Sequence, residues 1–298
     1  MKPAPDISHM GPDRCPVCEL GLTTGSQTTV RLSTPRGEQT WTRCSGCRSF
    51  FALEQYNPQQ EVEHTRTRPW GIFESGIALN DEKSPMFDAV LRLLRRYAQP
   101  GSTLLDIGCS YGGFLKRAQK EGYLVRGLDI VPEAVEYVRS QGITCDRGGS
   151  LEDLDIQANS IGIISVLDCN YYWRSQTKEL RAIHSALCKD GLLVMRVVDM
   201  SWAMQIGLWL RRWVPNTGQR LCEKAVYDHR VSVPVRSLLS VVRREGFDIV
   251  YTSPRDAMPF RHNSLKIRTA YAIGQLVWRL TGYNLAPGFV FMARKRTA

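Results

Sequence analysis

A doubly wound α/β fold with a small metal-ligating ribbon in front of it is what this chain of 298 residues predicts. Three observations carry the prediction. From residue 103 onward, short apolar runs rich in β-formers alternate with amphipathic stretches, the pattern of strand and crossover helix. Residues 104–115 read Leu-Leu-Asp-Ile-Gly-Cys-Ser-Tyr-Gly-Gly-Phe-Leu, an apolar run ending in an acid, a glycine-rich turn and the start of an amphipathic stretch. That is the strand, tight loop and helix that let a nucleotide approach bare backbone. Finally, Cys15-Pro-Val-Cys18 and Cys44-Ser-Gly-Cys47 set four thiols in two tight pairs.

The elements follow in order. Residues 1 to about 13 are Pro-rich and polar and read as a frayed arm. Each C-x-x-C turn then presents two thiolates from one knuckle, and two knuckles close a tetrahedron around Zn²⁺. Between them, Thr28–Leu32 and Gln39–Thr42 flank Pro35-Arg36-Gly37, so the knuckles sit near the base of a long hairpin. Cys15, Cys18, Cys44 and Cys47 are therefore the predicted metal ligands, in a closed structural site; a Cys₄ set also accepts iron. Residues 55–80 are polar with scattered aromatics (Tyr56, Trp70, Phe73) and read as a linker. Phe87–Tyr97 is amphipathic, with Val90, Leu91 and Leu94 opposite Arg92, Arg95 and Arg96, and Pro100-Gly101 ends that helix.

Strands are expected at Thr103–Ile107, Leu124–Asp129, Ile143–Cys145, Ile161–Leu167, Leu192–Val198, Phe247–Thr252 and Phe289–Ala293. Helices are expected at Gly113–Glu121, Pro132–Gln141, Gln176–Cys188 and Pro234–Glu245. The chain thus divides into arm and ribbon (1–54), linker and entry helix (55–98), and a cofactor-binding domain (99–298) with long insertions at 201–233 and 255–287.

The glycine spacing, Asp106-x-Gly108-x-x-x-Gly112, is not that of a dinucleotide loop. It resembles motif I of the class I S-adenosylmethionine (SAM) methyltransferases, Asp/Glu-x-Gly-x-Gly-x-Gly, with Ser110 at the middle glycine. Asp129, 23 residues beyond Asp106, ends the second apolar run, where a carboxylate accepts hydrogen bonds from ribose hydroxyls. Gly149-Ser150-Leu151-Glu152-Asp153-Leu154 is similar to the loop that the family sets against adenine, with Ser150 where an acid is usual. The stretch Asn159–Asp168 resembles the approach through the fourth strand, but Tyr171-Tyr172-Trp173 follows where a Glu-His pair is common.

The resemblance, which spans residues 15–298, implies a seven-stranded Rossmann-like sheet whose last, antiparallel strand slots between the fifth and sixth. It implies SAM as cofactor, held by Asp106, Gly108, Cys109, Ser110 and Gly112 in the loop. Asp129 and Ile130, Ser150 and Leu151, and Asp168 complete the implied set. A Cys₄ ribbon in front is familiar from bacterial methyltransferases of sugars and secondary metabolites.

Methyl transfer is an in-line displacement that needs alignment more than a dedicated base. Asp168, Tyr172 and His229 are the catalytic candidates, with Tyr171, Trp173 and Asp199 at neighbouring strand ends, and His64 and His184 behind them. Cys109 reads as a packing residue, since no base is paired with it.

The formal net charge of +10 favours anionic neighbours. The two insertions contribute +3 and +4 of it and four of the seven tryptophans. Trp202, Ile206, Trp209 and Trp213 recur at helical spacing beside Arg211 and Arg212. Leu265, Ala272, Ile273, Leu276, Val277 and Leu280 form a second stripe flanked by Lys266, Arg268 and Arg279. Both insertions are expected to leave from the cofactor side of the sheet and cover the site. They read either as two lid helices packed on each other, or as a surface for anionic lipid headgroups or an amphipathic substrate. With paired thiols, no apparent signal peptide and no run of spanning length, the expectation is cytoplasmic, with a peripheral membrane contact open.

Three functions stay in play: methylation of a small molecule, a sugar or lipid-linked glycan among them; methylation of RNA gripped by ribbon and basic insertions; and non-catalytic binding of SAM or a partner protein. No aromatic-basic RNA-binding motif and no Asn-Pro-Pro-Tyr-like run supports the second.

Overall fold

The structure, a computed structural model, describes residues 13–22, 29–55, 57–258 and 264–296. The arm up to residue 12, Thr28 and Tyr56 lie outside the described residues. The ribbon comprises β1 (Thr29–Thr34), β2 (Gly37–Arg43) and β3 (Phe50–Ala52). Thr34 pairs with Gly37, so Pro35 and Arg36 form a two-residue hairpin turn, and Gly37 takes the left-handed φ of 93° that the turn needs. Inward residues Val30, Leu32 and Trp41 alternate with exposed ones along the hairpin.

Residues 55–80 are not a linker. They fold into α1 (Pro58–Arg66) and α2 (Phe73–Glu82), followed by α3 (Ser84–Leu94). Asn57 caps α1 by accepting from the backbone N–H groups of Gln59 and Gln60, and Pro58 sets the first turn.

The main sheet is built as expected. Strands β4 (Thr103–Ile107), β5 (Leu124–Asp129), β6 (Thr144–Arg147), β7 (Ile161–Leu167) and β8 (Leu187–Val198) run parallel. Helices α4 (Gly113–Lys120), α5 (Pro132–Ser140) and α6 (Gln176–Ala186) make the crossovers. After β8 come α7 (Ser201–Leu210), α8 (Pro215–Val226), β9 (Val231–Ser232), α9 (Val235–Arg244), β10 (Phe247–Ser253), α10 (Leu265–Thr281) and β11 (Gly288–Lys295). The sheet order is β10-β11-β8-β7-β4-β5-β6, with β11 antiparallel to both neighbours. Phe289 to Ala293 are all fully buried, which a strand covered on both faces requires.

One face of the sheet packs on α3, α4 and α5 through Phe87, Leu91, Phe114 and Val138. The other packs on α6 and α9, and Cys15, Val17, Cys44 and Phe51 of the ribbon join that same core. The ribbon is therefore sewn into the domain rather than tethered to it.

The first insertion does not cover the cofactor side. Helices α7 and α8 form an antiparallel pair, drawn together at Gly207 and Gly218, where a Cβ on Gly218 would lie 2.6 Å from the Gly207 carbonyl. Ala203, Met204, Cys222, Ala225 and Val226 then close over Val30, Leu32, Trp41 and Phe50 of the ribbon sheet. Strand β9 pairs with β3 and extends that sheet. The second insertion supplies α10, which docks by Tyr271 and Gly274. The α7–α8 pair of the first insertion and α10 of the second thus pack on different supports, not on each other.

Candidate functional site

The loop after β4 is built from three left-handed residues, Gly108 (φ 75°), Ser110 (φ 49°) and Gly112 (φ 74°). The first and last are glycines, which adopt that region freely; serine is strained there by roughly 1–2 kcal/mol. The Gly108 and Cys109 N–H groups both donate to the Leu128 carbonyl, tying the loop to the end of β5. A Cβ on Gly108 would come 2.8 Å from the Cys169 side chain, so glycine is required there twice over.

Asp129 at the tip of β5 lies against this loop. Its two oxygens accept from Ser110 N (2.7 Å) and Val131 N (2.9 Å), which fixes the carboxylate plane. Burial pushes its pKa up, against the backbone donors that draw it down. Asp106 is buried one strand away and accepts from Ser165 Oγ at 2.7 Å; burial raises it to about 7. Cys109 Sγ is 3.7 Å from Cys145 Sγ, and that thiol together with burial pushes it far up, so it stays an unreactive protonated thiol.

One cavity gathers Asp106, Gly108, Cys109, Ser110, Asp129, Ile130, Asp168, Tyr171, Tyr172 and Trp173. Gly112 does not line it: it opens α4 and faces Val138. Nor does Ser150 or Leu151. The Ser150 hydroxyl donates to Glu179 of α6, and Leu151 N donates to the same carboxylate at 3.3 Å. Ser150 belongs instead to an adjoining groove between ribbon and domain, which shares Ile130, Gly148, Gly149 and Trp173 with the cavity. Burial raises Glu179 to about 7, so an acid does stand at this loop, one hydroxyl behind the predicted position.

Asp168, left-handed at φ 66°, is gripped by Arg196 and by Lys83 (3.0 Å). Burial alone would raise its pKa, but the two cations hold it below the ordinary carboxylate range. It is an ion-pair partner and a poor base. Tyr172 Oη donates to Asp228 at 2.9 Å, and Asp228 also meets His64. Tyr171 stacks on His229 with ring centroids 3.9 Å apart. His229 does not reach the cavity wall, and burial lowers its pKa to about 4, so it is neutral at physiological pH. Asp199 is a buried hub for the α7 and α9 starts, accepting from Ser201 and Val235 N–H groups, and lies away from the cavity. His184, on α6, meets the edge of Phe247.

The sequence missed the roof. Glu61, Thr65, Trp70, Leu79, Asn80 and Lys83, all from the α1–α3 region, close the cavity from above. Asn80 Nδ2 donates to Ser110 Oγ (3.3 Å) and Tyr111 Oη to the Gly71 carbonyl (2.7 Å), stitching roof to glycine loop. The Asn57-Pro58 start was the available signal for this helical segment.

At the ribbon base the four predicted thiols converge, with all sulfur atoms within 4.8 Å of one another. Cys15–Cys47 and Cys18–Cys44 sulfur distances are 3.6 Å, close to the roughly 3.8 Å edge of a tetrahedron with zinc–sulfur bonds near 2.3 Å. The two knuckles match: Glu19 after Cys18 and Arg48 after Cys47 are both left-handed, at φ 62° and 64°.

Comparison with known proteins agrees with this geometry. A family model described as a methyltransferase domain matches residues 79–252, more than half of the chain. No curated protein matches the sequence. A Thermotoga maritima structure, described as a SAM-dependent methyltransferase and possible histamine N-methyltransferase, aligns with a TM-score of 0.50 at 18% identity, covering 80% of this chain and 98% of that one. The PH0226 protein of Pyrococcus horikoshii aligns with a TM-score of 0.51 at 12% identity, covering 78% of this chain and 99% of that one. At such identities the likeness is one of fold. With motif I, the strand order and the matched family model together, the chain belongs to the methyltransferase-domain family and is a class I, SAM-dependent methyltransferase.

Proposed function

We propose that this enzyme methylates a small hydroxylated molecule of the sugar or lipid-linked glycan class, and that its Cys₄ cluster holds a structural Zn²⁺. The observation that carries the first part is the roof. The cavity that starts at Asp129 ends under α1 and α2 at Glu61, Thr65 and Tyr172, a polar, walled end suited to a compact acceptor rather than a duplex.

The residues present fit SAM. When bound, it supplies an electrophilic methyl group on a sulfonium. Asp129, its plane fixed by two backbone donors, is placed to accept the ribose hydroxyls. Lys83 offers an ammonium for the cofactor's carboxylate. Trp70, Leu79 and Phe87 give apolar wall that excludes competing water. On the acceptor side, burial pushes the Tyr172 phenol well up, so it remains a protonated hydrogen-bonding group that orients. Of the three catalytic candidates, Asp168 is held ionised by two cations, Tyr172 stays protonated and His229 stops short of the wall, which points to catalysis by alignment.

The nucleic-acid reading draws less support: the described basic residues of the insertions lie just beyond α7 (Arg211, Arg212), on α8 (Arg220, Lys224), before β9 (Arg230), in the turn after β10 (Arg255) and on α10 (Lys266, Arg268, Arg279), and none of them lines the cavity. A closed Cys₄ set leaves no open coordination position, so zinc acts as a staple between knuckles. Incubating the enzyme with methyl-labelled SAM and a fractionated cell extract tests the acceptor class. Label in the small-molecule or lipid fraction supports the proposal; label confined to RNA overturns it.

A further inference from the structure

Helix α10 carries an apolar face that the fold does not use. Its buried side is set by Tyr271 and Gly274, with Gln275 and Trp278 partly covered. At 100° per residue, Leu265, Ala272, Leu276, Leu280 and Ile273 fall on the opposite side of the cylinder. They are open to solvent: Leu265 is 78% exposed, Leu276 58%, Leu280 76% and Ile273 53%. A contiguous stripe of this kind on a soluble surface marks an interaction site.

The charges flanking the stripe say what it meets. Arg268 and Arg279 project along one margin and Lys266 along the other, and α10 contains no Asp or Glu. None of the three cations makes an ion pair among the described residues. In the whole 255–287 segment the one acid is Asp256, which accepts from Tyr251 Oη. A second copy of the chain docked stripe to stripe would bring these cations against each other with no counter-charge. An apolar strip bordered by cations on both sides matches instead the boundary between acyl chains and anionic headgroups.

We propose that α10 lies in the surface of an anionic membrane, its Leu265–Leu280 stripe among the acyl chains and Lys266, Arg268 and Arg279 at the headgroups. No helix among the described residues is long and apolar enough to cross a membrane, so the contact is one of lying on, not spanning. On its inner side α10 contacts Ala286 and Gly288 through Gly274 and Tyr271. Gly288 also faces Arg196, the partner of Asp168 at the cavity. The surface thus connects through Tyr271, Gly288 and Arg196 to Asp168 on the cavity wall. The inference stands independently of which acceptor is methylated.

The test is co-sedimentation of the full chain with vesicles of phosphatidylcholine alone or with about one third phosphatidylglycerol. Binding should require the anionic lipid and weaken steeply with salt. Leu276→Asp with Leu280→Asp should cut binding at least about tenfold, since two leucines leave the acyl region. Arg268→Gln and Arg279→Gln should each cost about fivefold, near 1 kcal/mol per cation. Because these side chains are exposed, melting temperature and circular dichroism should be unchanged. Equal binding to neutral vesicles, no binding, or binding indifferent to the leucine changes overturns the proposal. So does a dimer in sedimentation velocity that Leu276→Asp dissociates.

Discussion

Gly76→Ala probes the coupling between roof and glycine loop. Gly76 is buried on α2 directly against Tyr111. A Cβ there would lie 2.6 Å from Tyr111 Cδ2 and 3.0 Å from the Trp70 carbonyl, whereas ordinary carbon contacts are about 3.5–4.0 Å. The ring cannot swing away easily. Its hydroxyl is bonded to the Gly71 carbonyl, and its edges meet Phe73 at 5.5 Å and Tyr137 at 5.8 Å. Relief must come from α2 rising by about 1 Å, which carries Leu79, Asn80 and Lys83 away from the cavity. Overpacking of this kind costs about 1–3 kcal/mol, or roughly 2–10 °C in Tm for a chain of this size. SAM affinity in calorimetry should fall about tenfold, equal to about 1.4 kcal/mol. Adding Tyr111→Leu makes room, so the double variant should recover much of the affinity lost by Gly76→Ala alone, a coupling that independent sites would not show. A Gly76→Ala protein with wild-type Tm and wild-type affinity would refute the claim that α2 is a fixed roof.

Two further outcomes follow from the ribbon and from His229. Cys44→Ser should abolish bound zinc in elemental analysis and lower Tm by at least about 6 °C, because Cys15, Val17 and Cys44 belong to the main core and Thr177 Oγ1 donates to the Val17 carbonyl; a metal-free, equally stable variant would dismiss the staple. The His229 imidazole, lowered by burial from 6.5 to about 4, is essentially neutral in both states above about pH 7.5 and so adds no pH dependence there. Between 6.5 and about 4 the unfolded chain takes a proton that the fold refuses, so stability falls with acid, by at most about 3 kcal/mol at pH 4. His229→Phe keeps a ring on Tyr171 and removes the titration; denaturant unfolding of wild type and variant should diverge across that window, and parallel curves would contradict the assignment.

The α/β domain was legible because each strand and crossover helix carries its own period. Phe289–Ala293 is apolar throughout, and α9 buries Val235, Leu238, Leu239 and Val242 at helical spacing. The roof was not legible for the same reason inverted. Helix α1 buries only Glu61 and α2 only Gly76, so neither shows an apolar face; they are held by hydrogen bonds and ion pairs, such as Arg36 on Glu61 at 2.5 Å. Periodicity also reports that a face exists, not what covers it. On α7 it is Ala203 and Met204 that meet the ribbon, with Trp202 against them, while Ile206, Trp209 and Trp213 of the expected stripe are exposed, as the α10 stripe is. At the adenine-side loop, Ser150 was visible but its partner Glu179 stands 29 residues on, a distance no local pattern spans.

The account rests on one clasp, the Asp129 carboxylate beside the Gly108–Gly112 bend. Isothermal titration of SAM into the wild-type protein and into Asp129→Ala tests it directly. The account predicts one site per chain in the wild type and an affinity at least about a hundredfold weaker in the variant, the loss of two charge-assisted hydrogen bonds at roughly 1.5–3 kcal/mol each. Equal affinities with both proteins folded, or no binding to the wild type, would contradict it.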